Sequence, residues 1–296
     1  MGRPTEVRVR VPASSANLGP GFDSLGLALG LYDEVDVAVA ADGVIVEVDG
    51  AGAATVPRDE RHLVVQVMRR AFAVFGDAPS GLRLRCRNAI PHARGLGSSA
   101  AAAVAGAAAA AVLAGRDPEL ERDALLQVTA GTEGHADNAA ASLLGGFVVA
   151  WNTDGRFDAV RLDVDARIVP VALVPEVESS TATTRGLLPE RVPLADAAFT
   201  GSRTALAVLA FTQRPELLFA ATADRLHQEY RRLAYPESAA LVDALRSAGV
   251  PAVISGAGPT VLALTADGTL PPGLDLHGFT ERRLPVDPAG VVVEVA

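Results

Sequence analysis

The sequence has no lysine. Its 296 residues include 26 Lys or Arg positions, and every one of them is arginine. That absence excludes several chemistries. A Walker A loop needs its lysine on the nucleotide phosphates, and a protein kinase needs a strand lysine there. Schiff-base enzymes, pyridoxal-dependent ones included, need a lysine amine. Cysteine is almost as scarce. Cys86 stands alone, so neither an intrachain disulfide nor a cysteine zinc cluster can form, which fits a reducing cytoplasm. Aromatic residues make up 4%, so the core must be built mainly from Ala, Val and Leu. Basic charge is in deficit, with a net charge of -9, and the arginines are scattered. Extended nucleic-acid contact needs a basic patch, so no nucleic-acid partner is expected. Met1 to Arg10 is charged and alternating, unlike a signal peptide. Gly95 to Gly115 runs 21 residues without a charge, but it is mostly alanine. It reads as a packed helix of a soluble protein rather than a membrane span.

What is present is an ordinary globular mixture, 49% hydrophobic and 21% charged, long enough for roughly two domains of about 150 residues. Glu6 to Val11 alternates charged residues with valine, as a half-buried strand does. Pro12 to Asp23 reads as a loop of Pro, Ser, Asn and Gly. Val35 to Val39 and Val44 to Val48 alternate around Asp42-Gly43, which predicts a hairpin. Helical spacing marks Arg61 to Phe75, Ser98 to Ala114 and Pro118 to Val128, and later Leu194 to Leu209, Glu216 to Leu226 and Glu237 to Ala248. Leu82 to Cys86, Phe147 to Trp151, Val160 to Val164, Ile168 to Val174, Ala252 to Ile254, Val261 to Leu264 and Val291 to Val295 read as strands. The order predicts an α+β protein in two lobes, with the boundary near 155–170.

The strongest chemical signal is Pro91-His92-Ala93-Arg94-Gly95-Leu96-Gly97-Ser98-Ser99-Ala100, which runs straight into the alanine-rich helix. Gly95 and Gly97 permit positive φ and close approach to a ligand. The free N–H groups and the dipole of a helix start favour an anion. A phosphate cradle of this kind requires no lysine, and Ser98 or Ser99 could place a hydroxyl on Mg2+. The same segment would also serve as a plain strand–turn–helix cap. Two further loops of small residues stand far away in sequence, Pro12 to Gly26 and Gly256-Ala257-Gly258-Pro259.

Together the three segments resemble the three motifs of the GHMP small-molecule kinases. Within them P-A-S-S-A-N-L-G-P-G-F-D-S-L-G at Pro12 to Gly26 and E-G-H-A-D-N at Glu133 to Asn138 resemble the homoserine kinases. The motifs run from residue 12 to about 260, nearly the whole chain. The resemblance implies a first lobe over 1–160 with a left-handed βαβ unit and a ferredoxin-like second lobe over 161–296. It implies transfer of the γ-phosphoryl of Mg-ATP to the side-chain hydroxyl of L-homoserine, a step of threonine biosynthesis. ATP and Mg2+ would be the cofactor pair, with Pro91 to Ala101 on the triphosphate and Ser98 and Glu133 on the metal. Asn17, Asp23, His135 and Asn138 would line the amino-acid pocket, with Asn17, Glu133 and Asn138 central to catalysis. Thr181 and Arg185 in S-T-A-T-T-R and Arg231 in H-Q-E-Y-R would complete it, the arginines holding the substrate carboxylate. On residue type alone, Asn17 and Asp23 read equally as turn residues. His135 reads as a structural histidine, and the two arginines as surface charges. The resemblance leaves a homodimer open.

Some relatives carry an aspartate general base where this chain has Asn138, with Asp137 beside it. Catalysis by positioning and charge stabilisation, without a dedicated base, is the expectation here. Arg94 is the cation nearest the loop in sequence and the candidate substitute for a nucleotide-binding lysine. Two alternatives remain in view: a kinase for another small alcohol such as mevalonate or a sugar, and a non-catalytic nucleotide-binding protein. A serine hydrolase built on Ser98 or Ser99 lacks the G-x-S-x-G elbow.

Overall fold

The computed structural model describes residues 3–178 and 184–295. Strands β1 (Glu6–Asn17) and β2 (Gly21–Ala40) form a long antiparallel pair at the centre of the first sheet. Val7, Val9 and Val11 are fully buried while Glu6, Arg8 and Arg10 face solvent, as their alternation requires. Beyond Val11 the expected loop is instead strand. Pairing continues from Ala13 opposite Leu29 to Ala16 opposite Gly26, with register shifts after Pro12 and Ala16. The turn is confined to residues 18–20. Small side chains here serve close packing rather than turning. A Cβ on Gly26 would lie 2.4 Å from the Asp137 carbonyl oxygen, so a helix rests directly on this stretch of sheet.

The expected hairpin at Asp42-Gly43 is also corrected. Strand β3 (Gly43–Gly50) does not pair with β2. β4 (Gly81–Asn88) lies between them, antiparallel to β2 and parallel to β3, so that Cys86 faces both Val35 and Val48. The parallel pair needs a crossover, and helix α1 (Leu63–Phe75) provides it with Val64, Val67, Met68, Ala71 and Phe72 turned inward. Helix α2 (Ser98–Leu113) is buried on every side, and Gly106 meets the Val64 carbonyl so closely that a Cβ would sit 2.6 Å from it. Helix α3 (Arg122–Glu133) starts four residues later than the spacing suggests, after a turn. Helix α4 (Asp137–Leu144) follows, in a segment whose spacing predicts no element. Strands β5 (Phe147–Thr153) and β6 (Arg156–Leu162) extend the sheet from β2.

The second sheet holds β7 (Val169–Pro175), β8 (Ala252–Ile254), β9 (Val261–Thr265) and β10 (Phe279–Arg283) in the order β10-β7-β9-β8, all antiparallel. Fourth, first, third, second is the ferredoxin-like order. Between β7 and β8 run α5 (Leu194–Thr212), α6 (Leu218–Ala221), α7 (Gln228–Arg231) and α8 (Pro236–Ser247). The single helix expected over Glu216 to Leu226 is broken. The Asp224 carboxylate accepts the N–H groups of Leu226, His227 and Gln228 and so starts a new helix. The last strand, β11 (Val292–Val295), returns to pair with β1. The result is a two-sheet α+β fold. No helix among the described residues is long and apolar enough to cross a membrane.

Candidate active site

Three glycine- and serine-rich segments, far apart in sequence, are bonded to one another. The Ser14 N–H donates to the Leu96 carbonyl at 3.1 Å, Gly256 N–H to Ala16 at 3.0 Å, and Thr260 N–H to Arg94 at 3.2 Å. The Ser255 hydroxyl bridges Gly95 and Ser15 at 2.6 and 2.8 Å. The loop between β4 and α2 is therefore held from both sides. Its glycines leave no room for a side chain. A Cβ on Gly95 would lie 2.3 Å from the Ser255 carbonyl oxygen, and one on Gly97 would lie 2.1 Å from Ser14 Oγ. Both take positive φ, 77° and 71°, which glycine adopts without strain.

These segments enclose a cavity of about 590 Å3. Asn17, Asp23, Glu133, His135, Asn138, Arg185, Arg231 and the loop residues Pro91, His92, Ala93, Arg94, Gly95, Leu96, Gly97, Ser98, Ser99 and Ala101 all line it. Of the remaining expected residues, Ala100 is buried behind the wall and Thr181 lies outside the described residues. Helix α2 opens into the cavity with Gly97 at its cap, and among the described residues no side chain caps its first N–H groups.

Glu133, at the end of α3, accepts the Ser99 hydroxyl. Burial raises the pKa of its carboxyl, and the Ser99 hydroxyl offsets part of that. No ion pair to Glu133 forms among the described residues. A desolvated carboxylate with two serine hydroxyls beside a helix start is a donor set that suits Mg2+. Asp137 is buried, and its Oδ1 accepts both His135 Nδ1 and the Asn138 N–H at 2.7 Å. Burial alone would lower the pKa of His135. The bond to Asp137 and the charges of Asp137, Glu133 and Asp23 outweigh burial and raise it. Ligand atoms of Asp23, His135 and Asp137 lie within 4.8 Å of one another, but Asp23 is engaged by Arg185 and His135 Nδ1 by Asp137.

Asn138 Oδ1 accepts the Ser14 hydroxyl at 3.0 Å, which leaves its amide N–H groups for the cavity. Asn17 staples two segments. Its Nδ2 donates to Gly256 at 2.9 Å and its Oδ1 accepts the Asp23 N–H at 3.0 Å. Arg231 is the largest fully buried side chain. Its guanidinium donates to the Thr184 carbonyl at 3.3 Å, to His227 Nδ1 at 3.1 Å and to the Gly256 carbonyl at 3.5 Å. Burial lowers its pKa. The Arg94 guanidinium is engaged by the protein: it donates to the carbonyls of Pro175, His92 and Glu176 at 2.8, 2.8 and 2.5 Å, and to Glu178 at 3.1 Å.

Several lining residues carry no local sequence signal. Val35, Val56, Pro57, Leu63 and Val64 form an apolar end, next to Asp33, His62 and Asn88. Among the described residues His62 Nδ1 is buried without a partner. Phe22 lies under both arginines, 5.2 Å from Arg185 and 5.6 Å from Arg231.

Comparison with known proteins agrees along the whole chain. Residues 62–146 match the GHMP kinases N terminal domain, and 202–271 match GHMP kinases C terminal. A homoserine kinase of Streptomyces avermitilis is 54% identical over 98% of this chain and 96% of its own. One of Rhodococcus erythropolis is 55% identical over 88% of this chain and 86% of its own. The crystal structure of homoserine kinase from Cytophaga hutchinsonii superposes with a TM-score of 0.86 at 27% identity, covering 99% of both chains.

Proposed function

Because the chain belongs to the homoserine kinases of the GHMP kinase family, we propose that its cavity transfers the γ-phosphoryl of ATP to the side-chain hydroxyl of L-homoserine. The hydroxyl oxygen forms a bond to phosphorus, the bridging bond to the β-phosphate breaks, and the hydroxyl proton is released. The products are O-phospho-L-homoserine, an intermediate of threonine biosynthesis, and ADP.

One observation carries the choice of an amino acid over another small alcohol. Arg231 is fully buried, forms no ion pair among the described residues, and faces the same cavity as the phosphate loop. A buried cation bonded only by neutral acceptors keeps its charge for a ligand, and Nη2, which has no hydrogen bond among the described residues, is left to meet a carboxylate. Asp23, which lines the same cavity and is bonded to Arg185, supplies the anion for the ammonium.

The main chain of Pro91 to Ala101 and the start of α2 would hold the triphosphate, with the base at the apolar end near Val56 and Leu63. The Arg94 side chain ties that loop to the end of β7 and so holds its shape. Glu133 with Ser98 or Ser99 would hold Mg2+, which when bound neutralises phosphate charge. The Asn138 amide, oriented by Ser14, would aim the hydroxyl, and Asn17 would keep Asp23 in place. Asp137 Oδ1 already accepts two hydrogen bonds, so positioning supplies most of the rate and no dedicated base is assigned. Lobes over about 1–160 and 161–296, with β11 returning to the first sheet, a cytoplasmic site of action and a monomer or homodimer without nucleic-acid or membrane partners complete the reading.

The test is ADP release from Mg-ATP with homoserine, mevalonate, galactose or no acceptor. Homoserine-dependent release supports the proposal. Equal release without acceptor, or preference for another alcohol, overturns it.

A further inference from the structure

We propose that His227 is a positioning residue that holds Arg231 at the angle needed to receive the substrate carboxylate. The inference rests on the cavity being the homoserine site, and it concerns a side chain that does not line that cavity.

His227 is fully buried just before α7 and joins two segments 208 residues apart. Its Nδ1 accepts from Arg231 Nη1 at 3.1 Å. A guanidinium only donates, so Nδ1 carries no proton and the hydrogen sits on Nε2. That nitrogen donates to the Gly19 carbonyl at 2.7 Å, in the turn between β1 and β2. The turn is pressed against the second lobe, for a Cβ on Gly19 would lie 2.4 Å from the Thr222 carbonyl oxygen. The imidazole therefore relays the position of the first motif to Arg231. Phe22 packs 5.4 Å from the His227 ring and closes the other side.

The chemical choice matters. A carboxylate in place of His227 would hold Arg231 more tightly, but it would consume the charge the substrate needs. Burial lowers the pKa of His227, so the ring stays neutral and keeps its acceptor. The nearby Asp224 carboxylate lies 3.8 Å from Nε2 and is engaged by three backbone N–H groups. Arg231 is thus held by a ring nitrogen and two carbonyls, all neutral, while its Nη2 has no hydrogen bond among the described residues.

The experiment compares steady-state kinetics of wild type, His227→Leu, His227→Asn and His227→Gln in the full chain. An Asn oxygen falls near the position of Nδ1 and can accept from Arg231. A Gln amide reaches toward Nε2 and Gly19 only. His227→Leu should raise KM for homoserine ~10-fold or more, the effect of one hydrogen bond to a charged group, with kcat and KM for ATP within about twofold. His227→Asn should recover most of that loss and His227→Gln should not. An unchanged homoserine KM in His227→Leu overturns the proposal, as does equal loss of affinity for ATP. Should the leucine variant fail to fold, Asn no better than Gln overturns it. Wild type without homoserine-dependent ADP release would instead overturn the reading of the site.

Discussion

Arg185 closes on Asp23 as a two-point fork, with Nη1 2.9 Å from Oδ2 and Nη2 2.7 Å from Oδ1. The hydrogen bonds to Asp23 raise the pKa of Arg185. These are the two groups expected to receive opposite ends of a zwitterion, and without substrate each satisfies the other. On the proposed function, a bound amino acid would replace one internal pair by two external ones: ammonium on Asp23 and carboxylate on Arg185. Arg231 has no such internal partner, so the two arginines are not equivalent.

Removing either member of the fork should therefore act on homoserine and not on ATP. Asp23→Asn should raise KM for homoserine about 10- to 100-fold, the range for losing a charge-assisted hydrogen bond. KM for ATP should stay within about twofold. Arg185→Lys should not restore wild-type affinity, because an ammonium cannot reproduce the fork.

Gly97→Ala tests the phosphate loop. The new methyl would lie 2.1 Å from Ser14 Oγ and 3.1 Å from Asn138 Oδ1, at a backbone φ of 71°. Ser14 would have to move, and with it the hydroxyl that orients Asn138. The expected outcome is a loss of about 1–3 kcal/mol of stability by thermal or denaturant unfolding, together with a fall in kcat of at least ~10-fold. Wild-type kcat in this variant would detach the loop from the chemistry.

Much of this site was legible in the sequence because its signals are local. The glycine pair at 95 and 97, the serines after it and the long apolar helix together announce an anion cradle, and the structure builds the loop against that helix. The segment from Pro12 to Gly26 misled for a physical reason. Ser, Asn, Gly and Pro favour turns when exposed, yet Ser14 and Ser15 are fully buried here, where their small size lets helices approach the sheet. The strand order also escaped, since Asp42-Gly43 turns the chain whether or not the flanking strands pair. His227 stands four residues before Arg231, the spacing that brings two side chains onto one helical face. That was its only signal, because its other partner is Gly19.

Asp33 gives a pH signature. It is buried, its Oδ1 accepts the N–H groups of Ala89 and Ile90 at 2.7 and 2.8 Å, and burial pushes its pKa up to about 6. The folded state then binds the proton more tightly than the unfolded one. This group's contribution to stability falls as pH rises from ~4 to ~6 and is flat above that. Asp33→Asn keeps the acceptor and removes the charge. It should stabilise the protein by up to ~3 kcal/mol at pH 8 and by clearly less at pH 4, in parallel denaturant titrations. A gain independent of pH would contradict the assignment.

Asp137→Asn separates positioning from base catalysis. Its Oδ1 acceptor for the Asn138 N–H survives the change, while any proton-accepting role is lost. Positioning predicts a fall in kcat of less than ~100-fold. A ~10³-fold fall with homoserine KM unchanged would make Asp137 a general base.

If one cavity reads both charges of an amino acid and phosphorylates its hydroxyl, loss of the carboxylate must impair the reaction. The decisive comparison is kcat/KM for L-homoserine against that for 3-aminopropan-1-ol, which has the same hydroxyl and amine but no carboxylate. Each charge-assisted hydrogen bond to the carboxylate left unmade costs about 1.5–3 kcal/mol, so a preference for homoserine of at least ~10²-fold is expected. Equal values for the two alcohols would contradict carboxylate recognition by Arg231 and Arg185, and with it this account of the site.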